Sequence, residues 1–175
     1  MPRIDASSAT CRIFTFKEGI LSAVAHDLEL AVQTFTLELE DDYSAIEGTF
    51  DVGSIRVLHA VVDGRPSPSS LSAKDRSKIE SNVLSDVFPK RRGHEARFVS
   101  SSITAVDSGW ELRGSLTLAG RTRDITVPVH RDGGKVVGEV SIHQPDFGIK
   151  PFSAMLGTLK VQADLKVRVE VPLPE

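Results

Sequence analysis

The sequence predicts an all-β fold, an antiparallel β-barrel with one helix, on three observations. The first is the stretch Leu159 to Val171, where every odd position is apolar and Lys160, Gln162, Asp164, Lys166, Arg168 and Glu170 fill the even ones. Side chains on a strand alternate between faces, so one face of this segment is buried and the other meets water, whereas a helix would scatter the same residues around its circumference. Thirteen residues at about 3.4 Å each make a strand of roughly 44 Å, long enough to wrap a twisted sheet. The second is the recurrence of that period along the chain. The third is that a single segment carries helical spacing.

Taken in order, Leu28 to Glu40 is a long strand whose phase slips: Leu28, Leu30 and Val32 share one parity, Phe35, Leu37 and Leu39 the other. A β-bulge at Gln33-Thr34 would return the later side chains to the inner face, and two strands with a bend between them would do the same. Ile46, Gly48, Phe50 and Val52 alternate as a strand. After the loop Arg65-Pro66-Ser67-Pro68-Ser69-Ser70, Ser72 and Asp75 form a capping-box pattern, and Ile79, Val83, Leu84, Val87 and Phe88 follow at helical spacing until Pro89. The helix is therefore expected at about 72–88, packing on or closing the barrel. Trp110, Leu112, Gly114, Leu116 and Leu118 alternate with Glu111, Arg113, Ser115 and Thr117, and Ile125, Val127 and Val129 do the same. Pro128 lacks an amide donor and puts an edge or a bulge there. Asp132-Gly133-Gly134-Lys135 reads as a hairpin turn into Val136 to His143. No repeat or linker divides the chain, so 1–175 is expected to be one domain.

Composition narrows the function. The formal net charge is −3, which argues against a nucleic-acid partner, normally bound by a basic surface. Cys11 is the only cysteine, so no intramolecular disulfide forms and an oxidising compartment is not required. The opening MPRIDASSATCRIF has no apolar run for a signal-peptide core, and Ile20 to Ala25, interrupted by Ser22, is too short to span a bilayer. A cytoplasmic protein that is not membrane-embedded is expected.

Catalytic and metal motifs are missing from the sequence. It has no nucleophile elbow, phosphate-cradling glycine loop or dinucleotide fingerprint, so no catalytic residue and no cofactor are assigned. His59, His94, His130 and His143 show no paired metal spacing, although a hairpin could bring His130 and His143 together; no metal site is assigned. Lys90-Arg91-Arg92-Gly93-His94 is the densest basic cluster. It could steer an anionic headgroup, or serve only as a solvated loop.

Several motifs in series carry a family resemblance. They are Val24-Ala25-His26-Asp27-Leu28, Ile46 to Asp51, Phe88-Pro89 and Ala96-Arg97-Phe98-Val99-Ser100-Ser101, then the hairpin Leu112 to Thr122, Ile125 to Val129, and Asp146-Phe147-Gly148-Ile149. Their order and spacing over roughly residues 13–173 resemble the YceI-like family of lipocalin-like, isoprenoid-binding proteins. The first strand, Cys11 to Phe16, lacks the aspartate-histidine-serine opening common there, and the 72–88 region is longer and more charged.

The resemblance implies an elongated, eight-stranded, lipocalin-like barrel that binds or carries an apolar isoprenoid or other amphipathic lipid without catalysis. The inward-parity residues Leu116, Leu118, Ile125, Val127, Val140, Ile142, Val161, Ala163 and Leu165, with Phe147, Phe152 and Met155, become the candidate lining, and His26 a candidate polar contact at the mouth. Periodicity alone favours a barrel filled by its own side chains, and the resemblance reverses that preference. Two alternatives stay open: a small hydrolase or isomerase using the cavity, and a filled barrel acting as an interaction module. Edge strands that could pair would make a homodimer.

Overall fold

A computed structural model describes residues 3–18, 27–83, 95–151, 153–154 and 159–173. The strands are β1 (Arg3–Asp5), β2 (Thr10–Thr15), β3 (Lys17–Glu18), β4 (Asp27–Val32), β5 (Phe35–Leu39), β6 (Ile46–Asp51), β7 (Ile55–Val62) and β8 (Arg65–Ser67). After helix α1 (Ala73–Asn82) come β9 (Glu95–Val106), β10 (Gly109–Leu118), β11 (Arg121–Asp132), β12 (Lys135–His143), β13 (Ser153–Ala154), β14 (Leu159–Val161) and β15 (Asp164–Pro172). An all-β fold with one α-helix among the described residues is what the alternating pattern predicted.

The eight-stranded barrel is corrected. Twelve antiparallel strands form one sheet in the order β1-β5-β6-β9-β10-β11-β12-β15-β2-β4-β7-β8, curled into a half-barrel whose end strands β1 and β8 do not pair. A small second sheet has the order β13-β14-β3. The count rises because one run divides into two strands of this sheet and because β1, β7 and β8 lie in segments that the alternating pattern does not mark. Leu28 to Glu40 is two strands with a bend, and β4 stops at Val32 while β5 starts at Phe35. Opposite that bend, a 3-10 turn at Val52–Ser54 separates β6 from β7. Ser54 knits the two bends together: its hydroxyl accepts the Thr34 N–H (2.9 Å) and donates to the Asp51 carbonyl (2.7 Å). The Asp51 N–H in turn donates to the Thr34 carbonyl (2.9 Å).

The long final strand is divided too. β14 joins the small sheet, and Gln162 leaves the alternation to bond elsewhere, its N–H donating to the Phe16 carbonyl (2.8 Å) and its amide to the Lys17 carbonyl (3.1 Å). β15 keeps the predicted faces. On the water side its Arg168 meets Glu170 (2.8 Å) and Glu139 (3.4 Å), and Glu170 meets Lys135 (2.9 Å). Those hydrogen bonds, from Lys135 first and then Arg168, hold the Glu170 carboxyl below the usual range.

Local chemistry accounts for the hairpins. Ala119 and Gly120 between β10 and β11, and Asp63 and Gly64 between β7 and β8, all take positive φ, the two-residue turn whose twist matches that of paired strands. The Gly133-Gly134 turn lies where predicted, between β11 and β12. Pro128 marks the end of a ladder: β11 pairs with β12 only from Val129↔Gly138 to Asp132↔Lys135. Beyond it the two strands continue on separate partners, β10 and β15. The predicted capping box is present, with the Ser72 hydroxyl accepting the Asp75 N–H and the Asp75 carboxylate accepting the Ser72 N–H (both 3.1 Å). The described part of the helix is Ala73–Asn82; the rest of the expected span, with Leu84, Val87, Phe88 and Pro89, lies outside the described residues. The buried core includes Leu30, Val32, Phe35, Leu37, Ile55, Ile142 and Phe147. Phe35 stacks on Phe50 with ring centroids 5.8 Å apart.

Candidate functional site

The concave face of the sheet encloses a cavity of about 1410 Å³, above the roughly 300–1,000 Å³ usual for small-molecule pockets. Inward-parity side chains line it in registered rows. β10 supplies Trp110, Leu112, Leu116 and Leu118; β11 supplies Ile125, Val127 and Val129; β12 supplies Val136, Val140 and Ile142; β15 supplies Leu165, Val167, Val169 and Val171. Leu28, Leu30, Val32, Leu37, Leu39, Ile46 and Phe50 close the other side. From Trp110 to Leu118, eight strand steps at about 3.4 Å give a groove of roughly 27 Å.

The two ends differ in chemistry. At one, α1 and its C-cap residue Val83 contribute Ile79 and Val83 together with Asp75, Lys78 and Asn82. The helix is tied to the wall by Glu80, whose carboxylate accepts the Val57 N–H (2.9 Å). That amide flanks a shift of register between β4 and β7 at Glu29/Leu30. At the other end lie Tyr43, Trp110 and Arg131. The Arg131 guanidinium carbon sits 5.3 Å from the centroid of the Trp110 ring, within cation–π range. Cys11 also faces the cavity, and burial pushes its thiol up to about 12.

Of the lining expected from sequence, Leu116, Leu118, Ile125, Val127, Val140, Ile142, Val161 and Leu165 lie on the cavity wall. Phe147 instead packs into the core at 2% exposure, within the 3-10 turn Gln144–Phe147. Ala163 sits at the break before β15, where its carbonyl accepts the Gln144 N–H (2.9 Å). Phe152, Met155, His26 and the 90–94 basic cluster lie outside the described residues.

Gly114 marks a close approach of neighbouring groups. A methyl group on it would collide with the Val99 carbonyl and the Phe98 ring, because the β9–β10 register shifts at Arg113/Gly114. Arg131 and Trp110 were missed as site residues although the signal was present. Arg131 continues the parity of Ile125, Val127 and Val129, and Trp110 opens the 110–118 row.

The histidines go elsewhere. His130 pairs with Val137 near the β11–β12 turn while His143 pairs with Asp164 at the far end of β12, so the hairpin does not bring them together. His143 Nδ1 lies 2.6 Å from Asp164 Oδ1, and that hydrogen bond raises its pKa. His59 Nε2 is 3.6 Å from Glu29 Oε1 and makes no hydrogen bond among the described residues. Among the described residues, no three His, Cys, Asp or Glu side chains group as a metal site, and no helix is long and apolar enough to cross a membrane.

Comparison with solved structures reproduces this architecture. BcnA of Burkholderia cenocepacia superposes with a TM-score of 0.65 at 17% identity, covering 96% of this chain and 98% of its own. A polyisoprenoid-binding domain from Saccharophagus degradans, implicated in plant cell wall breakdown, gives 0.57 at 10% identity over 95% and 94%. The YceI protein of Campylobacter jejuni gives 0.54 at 13% identity over 85% and 86%. At such identities the likeness is one of fold. No match was found among curated proteins. The YceI-like domain, by contrast, matches residues 3–173, nearly the whole chain, and the chain therefore belongs to the YceI-like family.

Proposed function

We propose that this protein holds the tail of an isoprenoid or other amphipathic lipid in its cavity and carries it without covalent chemistry. The observation that carries the reading is the cavity itself, about 1410 Å³ walled by the inward rows of the sheet. A bilayer's hydrocarbon core is about 30 Å thick, or about 15 Å per leaflet. The roughly 27 Å groove therefore suits a tail longer than an ordinary membrane acyl chain. Burial of such a tail is favourable at about 25 cal/mol per Å² removed from water.

Two further points support the reading. The S. degradans neighbour is described as a polyisoprenoid-binding domain, and the family match spans 3–173, in keeping with one domain built around one cavity. Cys11, a nucleophile facing that cavity, is held as the neutral thiol by burial, which suits binding better than covalent catalysis.

The test is native purification, extraction into organic solvent and mass spectrometry of the extract. The expected result is one isoprenoid or amphipathic lipid at near-stoichiometric yield. A protein that yields none and also takes up no neutral apolar dye such as Nile red would overturn the proposal.

A further inference from the structure

Resting on that reading of the cavity, we infer that its Arg131 end receives the head of the amphiphile and that the head is anionic, a carboxylate or a phosphate monoester. Arg131 is then the residue that selects it.

The inner row of β11 runs Ile125, Val127, Val129 and then Arg131, so an apolar track ends on a guanidinium. Only three charged side chains among the described residues line the cavity: Asp75, Lys78 and Arg131. Asp75 and Lys78 lie one helical turn apart at the α1 end with opposite signs, so they largely cancel. Arg131, at the other end, has no carboxylate partner among the described residues; its recorded contact is the Trp110 ring.

Acidic groups are present around this end, yet none of them lines the cavity. Asp132 points to Arg168 (3.9 Å), Glu170 to Lys135 and Arg168, and the Asp42 carboxylate is held by the Ser44 N–H and hydroxyl. The remaining acids there, Glu40, Asp41 and Asp107, lie in or beside the turns after β5 and β9. Arg131 is itself exposed, at the mouth of the cavity, and meets a bound head at contact, whereas charges farther off are screened over about 8–10 Å in ordinary salt. Stacked on the indole, it is weakly hydrated and keeps its planar fork of donors for a bidentate anion.

The experiment uses three ligands with one tail and three heads, farnesol, farnesoic acid and farnesyl phosphate, each titrated against the Nile red complex of the whole protein. The two anions are expected to bind about tenfold more tightly than the alcohol, the scale of one charge-assisted hydrogen bond. Arg131→Gln should remove that advantage and leave farnesol unchanged, and Arg131→Lys should keep part of it. An advantage confined to one anion identifies the head as carboxylate or phosphate.

The inference fails if the wild-type protein binds farnesol as tightly as both anions. It fails too if Arg131→Gln weakens all three alike, or if the anion advantage disappears instead with Lys78→Gln at the α1 end. In each of these cases the carrier reading survives. If no farnesyl compound displaces the dye and no lipid is extracted, the carrier reading has failed and takes this inference with it.

Discussion

Cys11 is a built-in reporter of the cavity. It is 1% exposed and paired in register with Val169 between β2 and β15, and its thiol faces the lining. Burial raises its pKa from 9.0 to about 12, and only the thiolate attacks alkylating reagents. At pH 8 the reactive fraction should therefore fall from about one in ten to about one in ten thousand. Labelling by iodoacetamide, followed by mass spectrometry, is expected to run about a thousandfold slower in the native protein than in denaturant. Because the folded pKa is raised, the linked stability is fully present below the unfolded value of 9.0. It is lost as pH rises from there through about 12, since the unfolded chain gives up its proton first. A native thiol that reacts as fast at pH 8 as the denatured one would mean that Cys11 is not sealed into the wall.

Two glycines, on β10 and on β12 with β11 between them, test which parts of the wall are tight and which are open. A methyl group on Gly114 would strike the Val99 carbonyl and the Phe98 ring, whereas one on Gly138 would meet only ordinary contacts, 3.4 Å to Val127 Cγ1 and 3.5 Å to Val129 Cγ2. Gly114→Ala is expected to lower stability in urea by about 1–3 kcal/mol, the range for overpacking. Gly138→Ala, in a strand where glycine is unfavourable, should be neutral or stabilising. Equal losses at both positions would contradict the described register. The same pair shows what could be read in advance. The alternation of apolar residues is a property of each strand alone, so the inward rows of β10, β11, β12 and β15 were visible in the sequence. The reason for Gly114 was not, because the register shift is a relation between β9 and β10. The slip of phase at Gln33-Thr34 was visible without deciding between a bulge and a bend, and the turn at Val52–Ser54 leaves no periodic trace: both rest on Ser54, which joins segments twenty residues apart through hydrogen bonds.

For the protein as one body, the cavity sets the terms of stability. At about 24 cal/mol per Å³, the figure for cavities left by core truncations, an empty apolar space of 1410 Å³ would cost on the order of 30 kcal/mol. That exceeds the roughly 5–15 kcal/mol by which a domain is stable. The space is therefore filled, by water when no ligand is present, and water against this lining has few polar partners. An apolar tail that displaces it binds the folded state and not the unfolded chain, so it stabilises by mass action, about 2.7 kcal/mol at a hundred times its dissociation constant. At this chain length each kcal/mol moves the unfolding midpoint by about 2–4 °C. Saturation with a long isoprenoid alcohol should thus raise Tm by about 5–10 °C in differential scanning calorimetry. Gly138→Leu, which projects a side chain into the groove, should reduce the shift while leaving the ligand-free Tm within a few degrees of wild type. An unchanged shift in that variant would place the tail elsewhere. A ligand-free Tm lowered by as much as the ligand raises it would mean that the groove near Gly138 is packed core, because added bulk would then strain the wall instead of occupying open space.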